Sequence, residues 1–322
     1  MLVSVQAPAR LHFGVLDLRG HLGRRFGGIG AAIPSPGVEL RAERADSVTA
    51  EGPDAERAGE YARRYLAARE LTGGARIVVQ SAIPAHTGLG SGTQLGLAVA
   101  RALAELYQQP TDAAQLSQAV GRGRRSAIGT WSFALGGFIL EGGRRPGTES
   151  VAPLLARLPI PEEWHCVVVV PEGKPGLSGE AEAAAFARLP EPAQSEVERV
   201  AHLVLLQLLP ALADGDLAAF GAALSEIQRV TGGWFAAAQG GAFAPGSSAR
   251  LVGQLAEWGA VGGVGQSSWG PAVYGIVGSR DSGERLAALA RQAAGPKGEV
   301  FCSPFDNRGA RVEVDGRSGK AH

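Results

Sequence analysis

The feature that most constrains this 322-residue chain is a run of small residues, Gly88-Leu89-Gly90-Ser91-Gly92-Thr93-Gln94, set between two patterned segments. Before it, Ile77-Val78-Val79 reads as the centre of a strand over 76–81. After it, the apolar residues recur at helical spacing, which predicts a helix over 91–107. Strand, glycine-rich turn and helix start, in that order, call for an α/β unit. Glycines let successive N–H groups converge on one point with no Cβ in the way. The helix N-terminus adds unpaired donors and partial positive charge. An anion site is therefore expected over Gly88, Leu89, Gly90, Ser91, Gly92, Thr93 and Gln94. It is not the lysine-bearing loop of the nucleotidases, because Thr93 stands where that lysine belongs. Nor does it match the Gly-x-Gly-x-x-Gly dinucleotide fingerprint.

The rest of the chain alternates in the same way. Strands are expected over 2–7, 11–16, 37–43 and 133–140, and helices over 55–71 and 111–120, the latter capped by Thr111 or Asp112. Glycines and prolines between Gly142 and Pro161 suggest a boundary near residue 155, dividing the chain into 1–155 and 156–322. Beyond it come expected strands at 165–170, 262–266, 272–277, 298–302 and 311–314. Helices are expected at 178–188, 193–212, 214–229, 247–258 and 281–293. Asp306-Asn307-Arg308-Gly309 reads as a hairpin turn. The fold class is α+β, in two domains.

Charge and composition narrow the partners. Lys plus Arg and Asp plus Glu each number 31, so no basic excess favours nucleic acid or an anionic membrane. Two cysteines, Cys166 and Cys302, make neither a disulfide framework nor a zinc site. The start of the chain lacks the pattern of a signal peptide, and the apolar run at 200–209 is short and holds His202 and Gln207. A cytoplasmic protein is expected, and base rates favour a homodimer.

The order Pro84-x-x-x-Gly88-Leu89-Gly90-Ser91-Gly92 resembles the phosphate-loop motif of the GHMP kinases, which bind ATP there. Ala7-Pro8-Ala9-Arg10-Leu11 and the stretch Gly262-Gly263-Val264-Gly265-Gln266-Ser267-Ser268 extend the likeness over most of the chain. It implies a GHMP-kinase-like fold, with an N-terminal mixed α/β domain and a C-terminal ferredoxin-like sandwich. Many kinases of that family carry an Asp in a Ser-Gly-x-Asp context after the phosphate-loop helix. Here Arg124-Arg125-Ser126-Ala127-Ile128-Gly129-Thr130 puts Gly129 at that place, and glycine cannot accept a proton.

The departures have a pattern of their own. Arg10-Leu11-His12-Phe13-Gly14, Asp17-Leu18, Gly23-Arg24-Arg25-Phe26-Gly27-Gly28-Ile29-Gly30, the Arg124–Thr130 run and Gly265-Gln266-Ser267-Ser268-Trp269-Gly270-Pro271 together resemble the beta-ribofuranosylaminobenzene 5'-phosphate synthase branch. Pro171 and Gly176-Leu177-Ser178-Gly179 fit as well. The resemblance implies a reaction of phosphoribosyl pyrophosphate with 4-aminobenzoate, releasing carbon dioxide and pyrophosphate, in methanopterin biosynthesis, with Mg²⁺ on the phosphates. 4-Hydroxybenzoate is an alternative acceptor. An ATP-dependent small-molecule kinase and a non-catalytic ligand sensor are the competing readings.

Roles follow for single residues. Arg10 and His12 alternate along a strand and so share a face suited to an anion. Asp17 is expected to hold Mg²⁺ or ribose hydroxyls, or else to cap a turn. Arg125 and Ser126 suit a phosphate or a carboxylate, with Thr130 beside them. Gln266, Ser267 and Ser268 form a polar knot lining the pocket, and Trp269 is placed to stack on the arene.

Overall fold

The computed structural model describes residues 1–173, 176 and 179–315. Leu177 and Ser178, part of one expected motif, lie outside the described residues.

The chain opens with two long antiparallel strands, β1 (Leu2–Asp17) and β2 (Phe26–Ala45), with Leu2 opposite Glu43 and Asp17 opposite Phe26. Two short strands separated at Pro8 were expected in place of β1. Pro8 instead sits at a register shift, where the partner strand jumps from Gly37 to Ile33. Pro34 and Pro36 lie in that jump. A proline cannot donate to the ladder, so the irregularity absorbs all three without ending the strand. The middle of β1 is buried almost without alternation, because helices cover one face and the second half of the chain covers the other.

Three elements complete the approach to the glycine loop: β3 (Thr49–Glu51), α1 (Ala55–Ala68) and β4 (Gly74–Ser81). Helix α2 (Ser91–Leu106) leaves the loop and is buried on nearly every side. It is followed by α3 (Ala113–Ala119), capped by the Asp112 carboxylate on the Gln115 amide at 2.9 Å. Residues 128–135 then form a helix, α4 (Ile128–Leu135), where the start of a strand was expected. The strand expected over 133–140 therefore begins only at Phe138. Gly136 and Gly137, with φ of 60° and 74°, end the helix and start the short strand β5 (Phe138–Glu141).

The expected boundary near residue 155 falls inside a strand, β6 (Leu154–Leu158), which pairs with β5. The chain leaves the first sheet only after it. Strand β7 (His165–Val170) begins the second sheet, and five helices follow: α5 (Gly179–Arg188), α6 (Gln194–Leu203), α7 (Leu209–Asp214), α8 (Leu217–Gln239) and α9 (Ser247–Glu257). A π-helical turn, Val204–Leu208, joins α6 to α7. Strands β8 (Val264–Gln266) and β9 (Val273–Val277), helix α10 (Arg280–Ala293) and β10 (Glu299–Pro304) complete the second sheet. Its order is β10-β7-β9-β8 with every pair antiparallel, which is the ferredoxin-like arrangement.

The last strand, β11 (Arg311–Val314), pairs with β1. The expected hairpin at 306–309 is therefore a crossover between sheets. Asp306 is buried there, its carboxylate accepting the amides of Arg308 and Gly309 at 2.8 and 2.9 Å. Among the described residues the first sheet has seven strands, in the path β11-β1-β2-β4-β3 with β5 and β6 joined through β2. One apolar cluster runs through both halves, from Val3 and Leu40 to Val168, Phe220 and Tyr274. No helix among the described residues is long and apolar enough to cross a membrane.

Candidate active site

The glycine loop is held from both sheets. Gly90, at φ 84°, is the N-cap of α2, and no side chain caps the helix. A Cβ on Gly90 would lie 2.9 Å from the Cγ of Arg10, and one on Gly88 would lie 2.2 Å from the carbonyl oxygen of Ser267. Only glycine permits both the backbone angle and these approaches. From β1, the Arg10 amide donates to the Leu89 carbonyl at 3.1 Å and its guanidinium donates to the Gly88 carbonyl. From beyond β8, the Ser267 hydroxyl donates to that same Gly88 oxygen at 2.6 Å and accepts the His12 amide at 3.0 Å. The carbonyls that would repel an anion are thus held on protein donors, while the helix start carries no acidic residue in its first turn.

The loop opens onto a cavity of about 520 Å³, walled by β1, α1, the 121–126 segment, α5 and α8. Two clusters line it. One is cationic: Arg57, Tyr61 and Arg64 from α1, and Arg122. The other is aromatic. Trp269 meets Phe186 and Phe235 edge-on, with centroids 5.4 and 5.0 Å away, and Phe26 stands 5.7 Å from Phe186. Arg125 serves this aromatic cluster. Its guanidinium lies 5.6 Å from the Phe186 centroid and pairs with Glu182 at 3.1 Å. Trp269 donates its indole N–H to the same carboxylate at 3.2 Å. One guanidinium nitrogen of Arg125, Nη1, is buried without a hydrogen-bond partner.

Most of the residues expected at the site line this cavity: Arg10, His12, Gly88, Gly90, Ser91, Gly92, Thr93, Arg125, Ser126, Gln266, Ser268 and Trp269. Five do not. Leu89 is core. Gln94 is buried and donates to the Gly129 carbonyl at 2.9 Å. Thr130 is buried against the Ser117 hydroxyl at 3.0 Å. Ser267 is buried as the clamp described above. Asp17 caps a turn, its Oδ1 accepting the amides of Arg19 and Gly20 at 2.6 and 3.1 Å. Of the roles expected for Asp17 the structure shows the turn cap, made through Oδ1 alone, and Asp17 is not among the residues lining the cavity. No group of three or more His, Cys, Asp or Glu is placed to hold a metal among the described residues.

The expected basic pair is corrected in part. Burial, and next the charge of Arg10, push the His12 imidazole down to about 3, so it is neutral at neutral pH. Arg10 falls only to about 10, because burial is opposed by Glu182, and it stays charged.

At Gly129, a Cβ would lie 2.9 Å from the Cγ2 of Thr93, so helix α4 packs closely on the start of α2 and a side chain there would have to displace that methyl. Glu60 and Glu182 are the carboxylates lining the cavity among the described residues. Glu60 pairs with Arg64, and Glu182 with Arg125. Glu141 is fully buried behind the 123–127 segment and accepts the amides of Gly143 and Ala127 at 2.8 and 3.4 Å. Burial pushes it up to about 7, against the pull of these amides and the Ser126 hydroxyl.

Residues 56–137 match the family model described as GHMP kinases N terminal domain. The beta-ribofuranosylphenol 5'-phosphate synthase of Methanothermobacter thermautotrophicus is 35% identical, covering 95% of this chain and 97% of its own. That of Archaeoglobus fulgidus is 33% identical, covering 97% and 100%. The chain belongs to the beta-ribofuranosylphenol 5'-phosphate synthase family.

Solved structures show what fold this synthase family uses. Homoserine kinase from Cytophaga hutchinsonii superposes with a TM-score of 0.70 at 17% identity, covering 97% of each chain. Mevalonate kinase from Methanococcus jannaschii gives 0.68 at 12% identity, covering 94% of this chain and 98% of that one. The synthase is thus an enzyme on a GHMP kinase fold. Its site includes residues that the sequence reading passed over. Arg57, Tyr61 and Arg64 stand at i, i+4 and i+7 on α1, a spacing that was open to view. Glu182 and Phe186 repeat at i and i+4 on α5, but nothing local ties them to Trp269 or Phe235.

Proposed function

We propose that this synthase joins phosphoribosyl pyrophosphate to 4-aminobenzoate, giving a ribofuranosyl arene 5'-phosphate for methanopterin biosynthesis with loss of pyrophosphate and carbon dioxide. The observation that carries the reading is that, among the described residues, both carboxylates lining the cavity are paired with arginines, while Gly129 packs closely on Thr93. Transfer of a phosphoryl group to a hydroxyl calls for a group to take or orient a proton. The proposed reaction does not. The C1–oxygen bond of the ribose breaks and pyrophosphate leaves with the electron pair. The ring carbon bearing the carboxylate forms the new bond to C1. The bond to the carboxylate carbon then breaks, its electrons restore the aromatic ring, and carbon dioxide departs. No proton need be removed before the attack.

The loop donors and Arg10 stabilise charge that develops on the leaving pyrophosphate. The neutral His12 adds at most a hydrogen bond. Phe186, Phe235 and Trp269 supply the apolar walls for the arene, and Arg125, which lines the cavity, supplies a cation for its carboxylate. The residues present suit a magnesium ion that arrives on the substrate phosphates, since Ser91 and Thr93 offer hydroxyls beside the loop and the carboxylates are committed to arginines. When bound, such an ion would neutralise pyrophosphate charge.

The relatives' name specifies a phenol, the product expected from 4-hydroxybenzoate. Both acceptors push electrons to the attacking carbon from the para position, and both belong in the same assay. With phosphoribosyl pyrophosphate and carboxyl-labelled 4-aminobenzoate, labelled carbon dioxide should appear in step with pyrophosphate. Pyrophosphate without carbon dioxide from either acceptor defeats the decarboxylating route. Consumption of ATP with a hydroxylated acceptor, and no pyrophosphate release, makes the protein a kinase.

A further inference from the structure

We infer that Arg122, held by Tyr61 and flanked by Arg64, forms a second anion subsite beside the glycine loop, and that it takes the phosphate monoester of a ribosyl donor. The inference rests on the proposed function and adds the place of the group that stays in the product.

The position is fixed by close approaches. A Cβ on Gly92 would lie 2.7 Å from Arg122 Nη2, so the guanidinium rests directly on the loop. The same nitrogen donates to the Tyr61 hydroxyl, and the guanidinium carbon stands 5.2 Å from the Tyr61 ring centroid. Arg64 Nη1 lies 3.8 Å from where a Cβ on Gly121 would be, one residue before Arg122. All three side chains line the cavity.

Charge accounting separates Arg122 from its neighbours. Arg57 is paired with Asp54 at 2.9 Å, and Arg64 is paired with Glu60. Arg122 has no carboxylate partner among the described residues, so its charge is left for an anion in the cavity that it lines. Tyr61 holds the guanidinium through a neutral oxygen, which fixes its position and leaves its charge uncompensated. A planar guanidinium with a free edge suits a phosphate. The surrounding cations make a poor wall for an uncharged base and a good one for a dianion.

The two anion positions should differ in kinetic signature. The loop faces the phosphates that leave, so its interactions strengthen in the transition state. A phosphate monoester keeps its charge throughout, so Arg122 binds ground state and transition state alike. Such uniform binding appears in KM and not in kcat.

The test uses the full chain and three ligands: ribose 5-phosphate, inorganic pyrophosphate and phosphoribosyl pyrophosphate, each titrated calorimetrically with Mg²⁺. In Arg122→Gln, ribose 5-phosphate should bind at least ~10-fold more weakly, about 1.4 kcal/mol, with pyrophosphate nearly unchanged. The donor's KM should rise with kcat nearly unchanged, and Arg122→Lys should recover part of the affinity. Arg64→Gln, an exposed change that does not threaten folding, should weaken ribose 5-phosphate in the same direction. Equal loss of pyrophosphate and ribose 5-phosphate in Arg122→Gln would place Arg122 in the leaving-group site and overturn the assignment. Unchanged ribose 5-phosphate affinity in both Gln variants would overturn it as well. A wild-type protein that binds ATP and neither phosphoribosyl compound would instead defeat the proposed function itself.

Discussion

Glu141→Gln should flatten the dependence of stability on pH. The carboxyl is fully buried and is raised from 4.5 to about 7, chiefly by desolvation. Two amides and the Ser126 hydroxyl favour its anion and limit the rise. Between pH 4.5 and about 7 the folded state holds a proton that the unfolded state has released. Stability from this group is therefore complete below 4.5 and is lost as pH rises through about 7. At roughly 1.4 kcal/mol per pH unit, the full loss is about 3 kcal/mol. His12 works the other way. Its folded value of about 3 lies below the ordinary 6.5, so stability falls as pH drops through that window. The two slopes overlap between 4.5 and 6.5 and mask each other in the wild-type curve. They separate in the difference between wild type and variant, because His12 is common to both. Glutamine does not titrate, but its NH2 must face one of the two amides that the carboxyl oxygens accept, which lowers the variant by about 1–3 kcal/mol at every pH. On top of that constant offset, the stability of the variant relative to wild type should rise by about 2–3 kcal/mol from pH 5 to pH 8. Urea unfolding at half-unit pH steps measures this directly. Parallel curves from pH 5 to 8 would mean that the donors outweigh desolvation and that Glu141 is an ordinary anion.

Three further changes probe the site. Gly90→Val forces a branched side chain to φ 84° and against Arg10, so donor affinity should fall at least ~10-fold, about 1.4 kcal/mol; unchanged affinity in a folded variant makes the loop merely structural. Asp17→Asn should cost about 1 kcal/mol of stability through its turn, measured by thermal melting, with the Mg²⁺ dependence of the rate unchanged; rescue by added Mg²⁺ would restore the metal role. Ser267→Ala leaves the buried His12 amide unpaired and releases one hold on Gly88, so stability should drop by about 1–3 kcal/mol and the donor's KM should rise; an unchanged melting temperature would refute the clamp.

What was legible in the sequence was local. The glycine loop announces itself because backbone angle, small side chains and a helix start coincide within a few residues. The ferredoxin-like arrangement of the second half came from the family resemblance, while β7, β9 and α10 were placed from their own residues. Residues 133–135 were misread as the start of a strand because the apolar run continues from the end of α4 into β5, and only the paired glycines after Leu135 mark the change. Asp17 was ambiguous in principle, since a turn cap and a metal ligand ask for the same carboxylate. The aromatic wall was out of reach, because Phe26, Phe186, Phe235 and Trp269 converge from four distant segments. Ser267 was placed in the right neighbourhood and given the wrong task. A small hydroxyl residue among glycines looks like a ligand contact until the Gly88 carbonyl is seen against it.

That clamp also explains how one scaffold can serve two chemistries. The loop is fastened by Arg10 from the first sheet and by Ser267 from the second, and neither hold depends on what reacts in front of it. An anion cradle built this way belongs to the fold, and it is indifferent to whether a nucleotide or a ribosyl pyrophosphate supplies the phosphates. The reaction is decided at the rim. There Gly129 packs closely on Thr93, and Glu60 and Glu182 are paired with arginines. Aromatic side chains line one wall. An Asp at position 129 would bring its Cβ to 2.9 Å from the Cγ2 of Thr93, so the Thr93 side chain at the start of α2 would first have to turn away from the place it now holds beside the loop.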